Sequence, residues 1–280
     1  MSKLVYLWFA VKTVFCNCQS DQKINDFKKV RSEYKISKIG KLSSVVNESS
    51  GLAKGLRNNS FWTINDSGGA PELYEIDSTG RLRSTRPVAD ATHVDWEDLT
   101  QDSLGHIYIG DFGNNANTRR SLNIYKISEN NLGTEKITFS YSDQKDFPPS
   151  PENLNYDCEA FFYHHENLYL FSKNRSKTNH FVKMYKIPSV AGNYVASPQD
   201  SIQIKTQVTS AAISPDGKTF ALLTYGKILL FDVGSEGVNF DRPKGCFRFV
   251  HKQAEALIFL NNTDMLATNE QGQLYKITYR

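Results

Sequence analysis

Carboxylates recur in this chain two residues apart, each group just ahead of an apolar residue. VDWEDLT (94–100) carries Asp95, Glu97 and Asp98, and DCEAFF (157–162) carries Asp157 and Glu159. ESSGLA (48–53) places Glu48, and QAEALI (253–258) places Glu255, in matching positions. Oxygen-only groups of this kind suit two chemistries. Converging carboxylates can ligate a hard cation, Ca²⁺ before others, which takes about six to eight oxygens. A pair held at different pKa values can act as general acid and base, and Glu97 and Glu159 are the candidates for that role. A third outcome needs no ligand: a hydrated polar channel whose acids bond to backbone amides. Two ionised carboxylates about 4 Å apart repel by roughly 4 kcal/mol at an effective dielectric near 20. Such a group therefore needs a cation, a basic neighbour, raised pKa values or water. Zinc is not expected, since neither His-Glu-x-x-His nor Cys-x-x-Cys occurs and His164–His165 fall in an expected surface turn on the other face. No Gly-x-Ser-x-Gly elbow or phosphate loop occurs either.

What could hold these acids together is a repeat. ESSGLA, DWEDLT, DCEAFF, TSAAIS (209–214) and QAEALI start 47, 62, 52 and 44 residues apart. Each is followed by a turn rich in Asn, Asp, Gly or Ser, then by an apolar strand (FWTIND, HIYIGD, LYLFSK, FALLTY, MLATNE). A third strand of one type follows: ELYEID, NIYKIS, KMYKIP, ILLFDV, QLYKIT. Its near-alternation has the period of a sheet. A fourth strand follows every unit but the last, and EYKISKIGKL (33–42) can supply that one from the N-terminal side. Four-stranded units repeated in this way predict an all-β, five-bladed β-propeller whose N-terminal strand completes the last blade. A sixth blade between 130 and 156 is the alternative, although DQKDFPPSPENLN reads as a loop. A β-sandwich would not explain the four-part unit.

The aligned starts then form rings around one mouth of the channel. Four residues before the apolar anchors Leu52, Leu99, Phe161, Ile213 and Leu257 the ring reads Glu48, Asp95, Asp157, Thr209 and Gln253. Two residues before them it reads Ser50, Glu97, Glu159, Ala211 and Glu255. Second-strand ends add Asp66, Asp111, Lys173, Thr224 and Glu270. Glu48, Asp95, Glu97, Asp157 and Glu159 are the expected metal ligands. Asp66, Asp111, Asn114, Arg119, Lys173, Arg175 and Glu255 are the expected ligand-binding residues, the basic ones facing the acids or an anionic ligand. Trp96 and Leu99 should point between sheets.

The bulk composition agrees. The chain has 280 residues, 39% hydrophobic and 12% aromatic, with 17 Phe and 14 Tyr but 3 Met, a balance that favours strands. A net charge of +3 without a dense basic cluster argues against nucleic acid as a partner. The segment MSKLVYLWFAVKTVFCNCQSDQK has Lys3, an apolar run from Leu4 to Val11, then Cys16 and Cys18. It reads as an export signal, with one of these cysteines as a candidate lipid-bearing residue and membrane attachment point. The expected division is 1–22 for the export or lipoprotein segment and its linker, and 23–280 for one propeller. An exported location follows (periplasm, envelope or exterior), as does a monomer. Cys158 and Cys246 fall in different repeats, so no disulfide framework is expected.

ESSGLA, FWTINDSGG, DWEDLT, IYIGDFGNN, DCEAFF, SPDGK and EAL together resemble a group of exported bacterial β-propeller proteins, distantly similar to the phytase-like and esterase-like propellers. The resemblance spans roughly 43–280. It implies a propeller, export, and Ca²⁺ with phosphate-ester chemistry, matched motif by motif at Glu48, Asp66, Asp95, Glu97, Asp111, Asn114, Arg119 and Glu159. The dense Lys/Arg array suited to a highly phosphorylated substrate is absent. The expected function is binding of a small-molecule, glycan or protein ligand, with Ca²⁺ as the candidate cofactor. The alternatives are a Ca²⁺-dependent hydrolase of phosphate or other esters, and a structural envelope lipoprotein.

Overall fold

A computed structural model describes residues 18–128, 131–249 and 253–280, with 131 and 132 as backbone alone. Lys3, the apolar run and Cys16 lie outside the described residues. The chain opens with helix α1 (Gln19–Asn25), strand β1 (Lys28–Lys29) and strand β2 (Tyr34–Lys41). Blade 1 is β3 (Ser49–Lys54), β4 (Ser60–Asn65), β5 (Glu72–Asp77) and β6 (Leu82–Pro87). Blade 2 is β7 (Trp96–Gln101), β8 (His106–Asp111), β9 (Leu122–Ser128) and β10 (Asn131–Tyr141). Blade 3 is β11 (Cys158–His164), β12 (Asn167–Ser172), β13 (Phe181–Pro188) and β15 (Pro198–Gln203), with β14 (Gly192–Ala196) between the last two in sequence. Blade 4 is β16 (Val208–Ile213), β17 (Thr219–Thr224), β18 (Gly226–Asp232) and β19 (Pro243–Phe249). Blade 5 is β20 (Ala254–Phe259), β21 (Met265–Asn269) and β22 (Gln273–Tyr279), completed by antiparallel β2. The described residues form five sheets. The stretch read as an alternative sixth blade supplies β10 and a short 3₁₀ turn at Pro151–Asn153 instead.

Two strands extend blades in ways the repeat did not announce. β14 adds to blade 2 in parallel with β10, and β1 adds to blade 4 in parallel with β19. The second addition brings Cys18 to Cys246, and the two form a disulfide across 228 residues of sequence. The expectation that no disulfide framework forms did not foresee this one bond: Cys18 belongs to no repeat, but α1 and β1 lay it along the outer edge of blade 4. A buried Asp21–Lys227 ion pair and an edge-on Phe27–Phe231 contact (ring centroids 5.0 Å apart) fix the same segment. The folded body thus includes residues 18–22, ahead of the expected boundary at 23.

Among the described residues the core is divided into five apolar clusters, one between each pair of neighbouring blades. Alternate residues of one strand serve opposite clusters. In β17, Phe220 and Leu222 face blade 3, whereas Ala221 and Leu223 face blade 5. Period two is therefore apolar on both faces, and burying each large side chain contributes about 1.5–3 kcal/mol. Trp96 and Leu99 lie between blades 1 and 2, as expected.

Candidate functional site at the acid-rich mouth

The inner strands β3, β7, β11, β16 and β20 contact one another around the axis. Regular inner strands would send their side chains into the interblade cores and leave only backbone facing the channel. Each of the five departs from this in one place. The ladder register shifts at Ser49/Gly51, Trp96/Asp98, Cys158/Ala160, Val208/Ser210 and Ala254/Ala256. The skipped residues are Ser50, Glu97, Glu159, Thr209 and Glu255. A β-bulge turns an unpaired residue out of the ladder, and here it aims the second ring at the mouth.

The bulges correct the alignment of blade 4 by two residues. Thr209, not Ala211, matches Glu97, and Gln207 takes the place assigned to Thr209. Core contacts agree: Leu52, Leu99, Phe161, Ala211 and Leu257 each face the preceding blade, so Ala211 is the anchor. Backbone bonds identify the third ring. The N–H groups of Asp66, Gly113, Lys173, Tyr225 and Glu270 donate to the carbonyls of Glu48, Asp95, Asp157, Gln207 and Gln253. Tyr225 therefore replaces Thr224, and Gly113 replaces Asp111.

Together the second and third rings line a polar pocket of about 190 Å³, formed by Ser50, Asp66, Glu97, Glu159, Lys173, Tyr225, Glu255 and Glu270 with Asn115 and Arg175. Five carboxylates face two cations there. The cations serve one side. Arg175 Nε donates to Asp157 Oδ2 at 2.5 Å and its Nη2 to Glu159 Oε1 at 2.9 Å. Lys173 Nζ pairs with Glu159 and donates to the Tyr225 hydroxyl at 3.1 Å. Tyr225 in turn donates to Glu255 Oε1 at 2.9 Å. Burial alone would lower the Lys173 pKa, but Glu159, then Tyr225 and Glu255, raise it well above the usual range.

On the other side Arg119 and Lys173 act on Asp95 and Asp66 only at a distance, and Glu97 has no direct partner among the described residues. Among the described residues no hydrogen bond or ion pair reaches the Glu97 carboxylate, although Glu97 is only 7% exposed. Its neighbours are acids: carboxylate oxygens of Asp66, Asp95 and Glu97 lie within 4.8 Å of one another, as do those of Glu97, Asp157 and Glu159. Burial first, then Glu159, Asp66, Asp157 and Asp95, push the Glu97 pKa well up. Burial, then Asp66 and Asp157, raise Asp95 to about 7. Burial and Glu159 raise Asp157 to about 6, and burial with Glu48 and Asp66 raises Glu270 to about 7. Gly113 is the third-ring residue of blade 2, and a Cβ there would run into the Asp95 and Glu97 carboxylates. Its missing side chain is what lets these two acids share one spot.

Several expected site residues hold the scaffold instead of lining the pocket. Arg119 Nη1 donates to the Gly113 carbonyl at 2.7 Å, and Nη2 donates to Asp111. Asp111 Oδ1 also accepts the Asp95 N–H at 3.0 Å. Asn114 donates its N–H to Asp157 Oδ1 at 2.7 Å and its side-chain amide to the Tyr156 carbonyl at 3.0 Å. These three fix the loop that presents Gly113 and Asn115. Glu48 is exposed at the rim and lies outside both carboxylate groups, and Glu255 belongs to the Lys173–Tyr225 network. Tyr225 and Asn115 were missed, as was Asp98, which stands deeper in the channel. Neither carboxylate group contains His or Cys. Oxygens bound to one ion at about 2.4 Å can be no more than about 4.8 Å apart, so the oxygens of each group are close enough to share one cation.

No family model and no curated relative matches the chain. Among solved structures it is similar to a chain of a nidogen/laminin complex, at 9% identity and a TM-score of 0.48, with 84% of each chain covered. It is also similar to the Swd1 β-propeller domain of Myceliophteria thermophila, at 8% identity and a TM-score of 0.46, with 88% of this chain and 100% of that one covered.

Proposed function

We propose that this propeller binds a divalent cation, Ca²⁺ before others, at its acid-rich mouth, and through it an oxygen-rich small-molecule, glycan or protein ligand. The observation that carries the reading is the buried Glu97 carboxylate, which no donor among the described residues reaches and which shares its surroundings with Asp66 and Asp95. The cation belongs on that side. Arg175 and Lys173 already occupy oxygens of Asp157 and Glu159, and a second cation there would face their charge. Asp66, Asp95 and Glu97 are the ligands, and Asn115 and Arg175 stand where a bound partner meets the rim. Calorimetric titration of Ca²⁺ tests this. One saturable site lost in Glu97→Gln supports the reading, and heat unchanged in that variant rejects it.

The Cys18–Cys246 disulfide supports an exported location, because such bonds persist in oxidising compartments. With Cys18 so engaged, lipid attachment would fall to Cys16, outside the described residues. Five interblade cores closing within one chain support a monomer.

A second reading, a Ca²⁺-dependent ester hydrolase, is favoured by the raised Glu97 pKa, a property of acid–base groups. Glu97 is then the acid–base group. Glu159 is less suited, because Lys173 and Arg175 hold its oxygens. Turnover of phosphate and carboxylate esters that needs Ca²⁺ and disappears in Glu97→Gln would establish it.

A further inference from the structure

The other mouth of the channel opens into a cavity of about 720 Å³ that shares no lining residue with the acid pocket. That volume lies in the range of small-molecule sites, roughly 300–1,000 Å³. Its floor is made by the far ends of the inner strands, where Ile213 and Ile258 are partly exposed. Beside it, Leu56 and Leu104 stand 59% and 81% exposed on loops close enough that a Cβ on Gly105 would lie 3.4 Å from the Leu56 side chain.

One partly buried positive charge at this mouth is unspent. Lys54 Nζ donates to the Leu260 carbonyl at 2.9 Å, and among the described residues no carboxylate pairs with it. Burial lowers its pKa and no charged neighbour contributes. Two of the three acids in the same lining are engaged. Asp102 accepts from His106 Nδ1 at 2.7 Å, from the Tyr108 hydroxyl at 3.2 Å, and from the N–H groups of Leu104 and His106. Asp216 accepts the Ser214 hydroxyl at 2.6 Å and the Lys218 N–H at 3.1 Å. Glu166 stands at the exposed tip of its turn. His164 is pushed down to about 4, by burial and then by His165 and Lys186, so it is neutral near pH 7. One ammonium above an apolar floor calls for an anion with an apolar body.

We propose that this mouth is a second binding site, which takes an amphiphilic organic monocarboxylate with its carboxylate on Lys54 and its chain over Ile213 and Ile258. The site is independent of the acid-rich mouth. Octanoate is the probe and octanol its neutral counterpart, titrated into the full chain by calorimetry, with melting curves to show that each variant is folded. Octanoate is expected to bind saturably and about tenfold or more tighter than octanol, since a hydrogen bond to a charged group supplies at least that much. Lys54→Gln should lose that difference, Lys54→Arg should keep it, and Glu97→Gln should leave it unchanged. The proposal is overturned if octanoate does not bind, if octanol binds as tightly, or if Lys54→Gln binds octanoate like the wild type. Should Lys54→Gln melt early, the octanoate–octanol comparison on the wild type decides alone.

Discussion

The Asp98 carboxylate accepts the hydroxyl of Ser210 at 3.1 Å, joining blades 2 and 4 inside the channel. Asp98 also accepts the N–H groups of Leu99 at 2.9 Å, Phe161 at 3.4 Å and Ala211 at 3.4 Å. Ser210 in turn accepts the Leu257 N–H at 3.1 Å. Inner strands have a free edge, and buried N–H groups there need acceptors. One fully buried carboxylate and one hydroxyl supply them for four of the five blades. Burial pushes the Asp98 pKa well up, and these donors offset only part of that rise.

Asp98 is therefore structural, unlike its neighbour Glu97. Asp98→Ala leaves several buried donors unpaired and should cost about 3–5 kcal/mol. For a domain of this size that is a fall in melting temperature of roughly 6 °C or more. Ser210→Ala should cost about 1 kcal/mol. Thermal unfolding of both variants checks the order, and an Asp98→Ala variant as stable as Ser210→Ala would contradict it.

Gly113→Ala should act on the cation site through space and not through backbone conformation, since Gly113 is not among the glycines with positive φ. Its methyl group would push Asp95 and Glu97 apart. The expected result is a Ca²⁺ affinity lowered about tenfold or more, equivalent to about 1.4 kcal/mol, in a protein that still melts cooperatively. Calorimetry on the variant reads both.

Stability should depend on pH in a direction set by the acid cluster. The pKa values of Asp95, Asp157 and Glu270 are raised to about 7, 6 and 7. Unfolding lets these groups ionise at their ordinary values, so the native state holds more protons between about pH 4 and 7, and stability falls as pH rises through that window. Glu75, Asp77, Asp102 and Asp216 are shifted the other way and lose stability only at lower pH. In chelator, the melting temperature should decline from pH 5 to pH 8. With Ca²⁺ the decline should shrink, because the cation replaces the protons. Parallel melts across this range test both.

The N-terminal segment should act as a clasp on blade 4. Reducing Cys18–Cys246, or changing both to Ser, should cost about 2–4 kcal/mol. Asp21→Ala leaves the Lys227 ammonium buried without its partner and should cost about 3–5 kcal/mol. Melting with and without reductant, and of Asp21→Ala, gives both numbers.

The ring was legible because turn, apolar strand and aromatic strand repeat in order, and because β2 has the strand character that blade 5 lacks. The convergence of Asp95, Glu97, Asp157 and Glu159 was legible for the same reason. The register shifts, and not the alternation of a regular strand, turn these side chains to the mouth. A bulge adds a residue without marking it in the sequence, so blade 4 slipped by two and Tyr225 was passed over. Gly113 offered a signal in GDFGNN, but only the register shows that it replaces a third-ring side chain. Asp98 was hidden because its partners, Phe161, Ser210 and Ala211, are distant backbone and hydroxyl groups. The clasp was hidden because Cys18 and Lys28–Lys29 belong to no repeat.

The most direct test of the central claim is thermal unfolding with Ca²⁺ and with chelator, on the wild type and on Glu97→Gln. Glu159 is left intact, because changing it would strand Lys173. At about 100 times the dissociation constant, Ca²⁺ should stabilise the wild type by about 2.7 kcal/mol. Glu97→Gln should melt higher than the wild type in chelator near pH 7, since unfolding no longer lets a carboxyl with a raised pKa ionise, and should not respond to Ca²⁺. A wild type whose melting is the same in Ca²⁺ and chelator, or a variant that responds as the wild type does, would contradict a cation site built on Glu97.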